Sequence, residues 1–292
     1  MDKLVKGITK DGFMRVYALD ATETVNRANL YHKLSPVAAA ALGRLISAGL
    51  MMGGSLKEED GTVTLQIKCD GPLNMLVVVA NSHGEVKGYV ENPIVDIPLK
   101  ENGKLDVGGA VGNGVLGVIK DLKLKEPYVG QVPLQTGEIG DDIAFYFMQS
   151  EQVPSVVALG VLVDRDYSIK CAGGFIIQVM PECDEKSLSK LENSIGGLMS
   201  VTEMLSKGMT PEEIIKYVML GFEVDILEEE SVRYNCGCSK ERMETALVSL
   251  GRDTLQEMID DGKGAELACH FCDNKYSFTT EDLIELQKRC KR

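Results

Sequence analysis

The residues best equipped for chemistry are four cysteines in two close pairs, Cys236-Gly237-Cys238 and Cys269-His270-Phe271-Cys272, with thirty residues between the pairs. Thiolates are soft donors, and a pair on a tight turn can offer two sulfurs to one ion. Two such pairs complete the tetrahedral four-sulfur shell that zinc prefers, at about 2.3 Å per bond. Gly237 gives the first pair the freedom for a sharp bend. The second pair has the spacing of an ordinary zinc knuckle. The predicted ligands are Cys236, Cys238, Cys269 and Cys272, for one zinc per chain; His270 could replace one of them, but four thiolates already suffice. Thiolates are also what oxidants attack, by way of sulfenic acid and then a disulfide. Oxidation of one pair removes two ligands at once, and a bridge across a single residue closes a tight, reducible ring.

The other four cysteines carry no such pattern. Cys69, Cys171 and Cys183 lie in or beside apolar runs and read as core residues, while Cys290 sits in a basic tail and reads as exposed. Gly112-Asn113-Gly114-Val115-Leu116-Gly117 is a literal G-x-G-x-x-G, but a strand-like run rather than a helix follows it, so it reads as a turn and not a dinucleotide site. No G-x-x-x-x-G-K-[ST] occurs for a nucleotide phosphate. With three histidines and no H-E-x-x-H, the chain lacks the groups of a zinc hydrolase or deaminase, and it is not expected to be an enzyme.

These cysteines need elements to position them. Over residues 231–292, Ser239 caps a helix carrying Met243, Leu247 and Leu250, and Asp253 is expected to cap a second through Ile259. Residues 265–268 and 275–278 form the arms of a hairpin with the second cysteine pair at its tip, and Thr279-x-x-Asp282 opens a final helix. Such a segment is too small to be stable on its apolar core alone, so the metal must supply part of its folding energy.

Upstream, residues 1–180 read as a mixed α+β body, with strands at 63–69, 75–80, 86–90, 156–163 and 175–180. Two helices accompany them: an apolar, buried one from Ser35-Pro36 to Met52, and one over 141–149. From residue 181 to 230 the pattern is helical. Leu188, Leu191, Ile195 and Leu198 share a face, Gly208 is a stop, and Thr210-Pro211-Glu212-Glu213 starts a helix bearing Ile214, Ile215, Val218 and Met219. The stretch 222–234, with its acidic run Glu228-Glu229-Glu230, has no consistent period and reads as a docked linker. There are no internal repeats.

Composition limits the partners. A chain of 292 residues with 44% apolar and 26% charged residues is an ordinary folded protein. Its formal charge of −13 argues against a general nucleic-acid binder. Residues 231–292 carry ten Lys and Arg against eleven Asp and Glu, a poor surface for phosphates even if they form a zinc ribbon. A thiol-disulfide oxidoreductase built on Cys269 and Cys272 would need one thiol free of metal. No run of eighteen apolar residues occurs, so no membrane span is expected. The start of the chain lacks the apolar stretch of a signal peptide, which favours the cytoplasm, where clustered cysteines bind metal or sense oxidants rather than form permanent disulfides.

The two cysteine motifs, set in residues 232–239 and 266–272, resemble those of the 33-kilodalton heat-shock chaperone family. The likeness extends to residues 128–134 (YVGQVPL), 137–141 (GEIGD), 150–155 (SEQVPS) and 173–181 (GGFIIQVMP), and covers essentially the whole chain. The resemblance implies a redox-regulated, ATP-independent holdase that is a poor chaperone when reduced and zinc-bound. Oxidised, such a protein loses zinc, unfolds its switch and linker, dimerises and binds unfolding client proteins. It further implies that Cys236, Cys238, Cys269 and Cys272 are the zinc ligands, and that oxidation pairs Cys236 with Cys238 and Cys269 with Cys272.

Overall fold

The computed structural model describes residues 2–290. The chain divides into two compact units, one up to Asn235 and one from Cys236 on. The first opens with strands β1 (Lys3–Thr9) and β2 (Met14–Asp20) and helices α1 (Thr22–His32) and α2 (Pro36–Gly54). Then come β3 (Thr62–Cys69), β4 (Met75–Asn81), β5 (Glu85–Val90), α3 (Val107–Val111), β6 (Gly114–Asp121) and β7 (Tyr128–Pro133). Helix α4 (Gly140–Tyr146) runs into a π-helical turn (Phe147–Glu151) before β8 (Ser155–Val163) and β9 (Ile169–Val179). Three helices, α5 (Glu185–Ile195), α6 (Val201–Ser206) and α7 (Pro211–Val218), lead to β10 (Val224–Ser231) and the short β11 (Arg233–Tyr234).

The strands form two sheets, ordered β10-β1-β2-β9-β8 and β11-β5-β4-β3-β6-β7. Helix α2 packs on strands of both, and its burial explains its composition. At 19 residues, with a mean hydropathy of 1.4 over its most apolar 18, it is long and apolar enough to cross a membrane by those measures alone, yet 94% of that 18-residue stretch is buried within the protein. Its C-terminal end comes so close to β4 that a Cβ on Gly53 would lie 2.7 Å from the Asn81 carbonyl oxygen. Strand alternation then sends Leu4, Leu19 and Ile176 to the α2 side of the five-stranded sheet, and Val5, Val16 and Ile177 to the other.

That second face is covered by α6 and α7. Ile214, Ile215, Val218 and Met219 are all buried there. Helix α7 starts as its sequence dictates: the Thr210 hydroxyl accepts from the Glu213 amide and the Glu213 carboxylate accepts from the Thr210 amide, a reciprocal capping box. Gly208, at φ +81°, ends the preceding turn. Lys3 pairs with Glu212, tying the helix start to β1.

Several expectations are corrected. The stretch 222–234 is not an irregular linker: it holds β10, paired antiparallel with β1, and β11, paired parallel with β5. Most side chains of β10 are exposed, so its sequence lacks the alternation of a half-buried strand, and backbone pairing with Lys3 and Lys6 contacts to Glu228 and Glu229 hold it instead. The last apolar run begins at Ile169 rather than Phe175. The second helix of the C-terminal unit starts from Gly251, not from an Asp253 cap. Cys290 is half-buried against that unit's core rather than exposed. Of the three cysteines expected in the core, Cys171 is buried while Cys69 and Cys183 are only partly so.

The C-terminal unit contains α8 (Lys240–Ser249), α9 (Arg252–Asp261), the hairpin β12 (Ala265–Ala268) and β13 (Lys275–Phe278), and α10 (Thr280–Lys288). Its core is small, centred on Leu247, Leu255, Phe278, Leu283 and Leu286.

Candidate metal centre

Two turns bring the four cysteines together. The first follows from Gly237, whose φ of +59° belongs to the left-handed region that a side chain disfavours. Arg242, in the first turn of α8, donates from Nη1 to the Gly237 carbonyl at 2.6 Å and fixes the bend. The second turn is the tip of the β12–β13 hairpin. There the Cys272 and Asp273 amides both donate to the Cys269 carbonyl, at 3.3 and 2.9 Å, and the Cys269 amide donates to the Asn274 carbonyl at 2.9 Å.

The result is one cluster, with all four Sγ atoms within 4.8 Å of one another. Cys236 and Cys269 approach to 3.3 Å, and Cys238 and Cys272 to 3.4 Å. Sulfurs about 2.3 Å from a central ion in a tetrahedron stand about 3.8 Å apart, so this spacing matches a shared cation. Cys269 and Cys272 are buried, and Cys236 and Cys238 are partly so. His270 is exposed and lies outside the cluster. Among the described residues this is the one group of His, Cys, Asp and Glu side chains close enough to hold a metal.

Electrostatics fit the same reading. Burial pushes the Cys236 thiol well above its ordinary value and the Cys272 thiol to about 11. Burial opposes the Cys238 thiolate too, but hydrogen bonds led by the Tyr276 hydroxyl outweigh it and bring that thiol to about 7. The Tyr276 hydroxyl stands 3.0 Å from Cys238 Sγ, and the contact raises the phenol to about 12. A cluster of four sulfur donors in which burial makes Cys236 and Cys272 resist ionising is matched by a soft divalent cation, which favours the thiolates. Tyr276 was not singled out in the sequence; its place on the returning arm of the hairpin, four residues after Cys272, was the available signal.

Comparison with known proteins gives the same answer from outside the site. The profile of the Hsp33 protein family matches residues 2–279. A 33 kDa chaperonin of Clostridium perfringens (strain SM101 / Type A) is 54% identical over 287 residues, spanning 98% of this chain and 91% of its own length. That of Lachnoclostridium phytofermentans is 49% identical, over 99% of both chains. The crystal structure of the 33 kDa chaperonin from Thermotoga maritima superposes with a TM-score of 0.90 at 36% identity, covering 98% of each chain. A metal-capable four-cysteine cluster on this fold completes the match, and the chain belongs to the Hsp33 family of redox-regulated, ATP-independent chaperones.

Proposed function

We propose that the four-cysteine centre is the redox gate of this holdase, with Cys236, Cys238, Cys269 and Cys272 as zinc ligands in the reduced protein and as two disulfides in the oxidised one. The observation that carries this reading is the meeting of four sulfurs from two separate turns within 4.8 Å, in a unit with a small core. Zinc, when bound, would tie the two turns together and supply about 10–16 kcal/mol toward folding the unit. The chain's own part is to hold the thiolates: Gly237 and the hairpin tip aim them, and Tyr276 hydrogen-bonds Cys238.

Oxidation pairs neighbours along the chain, Cys236 with Cys238 and Cys269 with Cys272. In forming its disulfide, each cysteine pair gives up two electrons to one hydrogen peroxide, which with two protons becomes two molecules of water. The unit then loses the ligands on which its fold depends. Opening exposes apolar surface, which binds unfolding client proteins and a second copy of the chain, giving an active homodimer. The activity fits the reducing cytoplasm, where the thiols persist until oxidant appears. Neither nucleic acid nor membrane is a partner in this reading, consistent with the net charge of −13.

The test uses one preparation before and after peroxide treatment under mild unfolding, followed by a thiol reductant. Zinc content, peptide mapping of disulfides and light scattering from a heat-unfolded client are measured at each stage. Zinc release, neighbour-paired disulfides and reversible protection of the client are expected. Pairing between the two motifs, or equal protection by reduced protein, would sink the proposal.

A further inference from the structure

Helix α2 carries a single charged residue, Arg44, in an otherwise apolar sequence. Its Nη1 donates to the Glu138 carboxylate at 2.6 Å and to the Glu138 carbonyl at 3.2 Å, while its buried Nε has no partner. Glu138 is shared with Lys100, so its one negative charge is spread over two cations. Beside Arg44 opens a cleft of about 760 Å³ between α2, loop 99–105, β8 and the start of α6. That size falls within the about 300–1,000 Å³ of small-molecule sites.

The lining of the cleft is one-sided in chemistry. Leu105, Leu159, Val161 and Val201 give it apolar walls. Its charged residues are Arg44, Lys104 and Arg165, with no acid among them, in a chain of 44 acidic and 31 basic residues. Lys104 and Arg165 are exposed and make no ion pair among the described residues. Apolar walls beneath unpaired cations complement a molecule with an apolar tail and an anionic head.

We propose that this cleft binds a medium-chain carboxylate, with its tail against Leu105, Leu159 and Val201 and its head among Lys104, Arg165 and Arg44. The site is independent of the cysteine chemistry, and its test is run on reduced, zinc-loaded, full-length protein. Decanoate below its micellar concentration is titrated by calorimetry and by methyl NMR. Binding of one molecule per chain is expected, with methyl shifts confined to Leu99, Leu105, Leu159, Val161 and Val201. Loss of charge-assisted contacts should weaken binding by about tenfold or more, both for the double variant Lys104→Glu/Arg165→Glu and for uncharged decanol on the parent. Both substitutions are on exposed side chains, and the amide spectrum of the variant reports that its fold is kept. Decanol binding as well as decanoate, unchanged affinity in the double variant, shifts scattered over other apolar surface, or no binding up to the micellar limit would each overturn the proposal.

Discussion

Substituting Ile215 with alanine tests whether the surface under α7 is what the chaperone uses. Ile215 is 0% exposed and packs with Val5, Val16 and Ile177 on the sheet face opposite α2. Truncating a buried isoleucine to alanine costs about 2–5 kcal/mol. Helix α7 has eight residues, too few for a helix to persist without packing, so the loss falls on its docking. At about 1.4 kcal/mol per decade, the undocked population rises about 30-fold at the least and several-thousand-fold at the most. Amide exchange over residues 212–218 should accelerate by that factor, with zinc content unchanged. The reduced variant should then suppress client aggregation where the parent does so poorly. Ile215→Val, costing about 0.5–1.5 kcal/mol, should fall between the two. Faster exchange with no gain in protection by the reduced protein would refute the reasoning, because the uncovered apolar face would then not be a client surface.

Three further outcomes are expected. Gly237→Ala places a side chain at φ +59°, costing about 1–2 kcal/mol, so zinc affinity measured by chelator competition should fall roughly 5- to 30-fold. Burial disfavours the Glu212 carboxylate, but its Lys3 hydrogen bond overrides this and holds it at about 2, below an ordinary 4.5. A folded value below the unfolded one gives stability that is full above about pH 4.5 and lost as pH falls toward 2, so acid should loosen α7 in that window and Glu212→Gln should flatten the profile. Chelating zinc from reduced protein should abolish exchange protection in α8, α9 and α10 while α2 stays protected; persistent protection in α8–α10 would show that five buried side chains suffice without metal.

The four-cysteine cluster was legible because its signal is local: two tight turns need only a few residues each, and their spacing is written directly in the chain. Three caps were legible for the same reason, and Ser239, Thr210 and Thr279 each accept the amide bond their position implies, whereas the cap expected at Asp253 is not formed. What escaped were elements defined by distant partners. Strand β10 has few buried side chains and was unreadable without β1 beside it. The early part of β9 was hidden by Gly173-Gly174, which looks like a loop. In the sheet these glycines admit neighbouring backbones, since added Cβ atoms would lie 2.1 Å from the Leu19 carbonyl oxygen and 2.5 Å from that of Ala158. Helix α1, of sequence TETVNRANLYH, has too few apolar residues to announce its buried face.

The pairing of β10 with β1 also fixes an order of events during synthesis. Lys3 and Glu229 are 226 residues apart, so at roughly 5–20 residues per second the first strand waits roughly 10–45 s for this neighbour to be made. Strands β2, β9 and β8 lie on the other side of β1 and can assemble before β10 exists. Strand β10 is therefore the last of its sheet to leave the ribosome. Its position at the margin lets it detach without breaking any pairing among the other four strands.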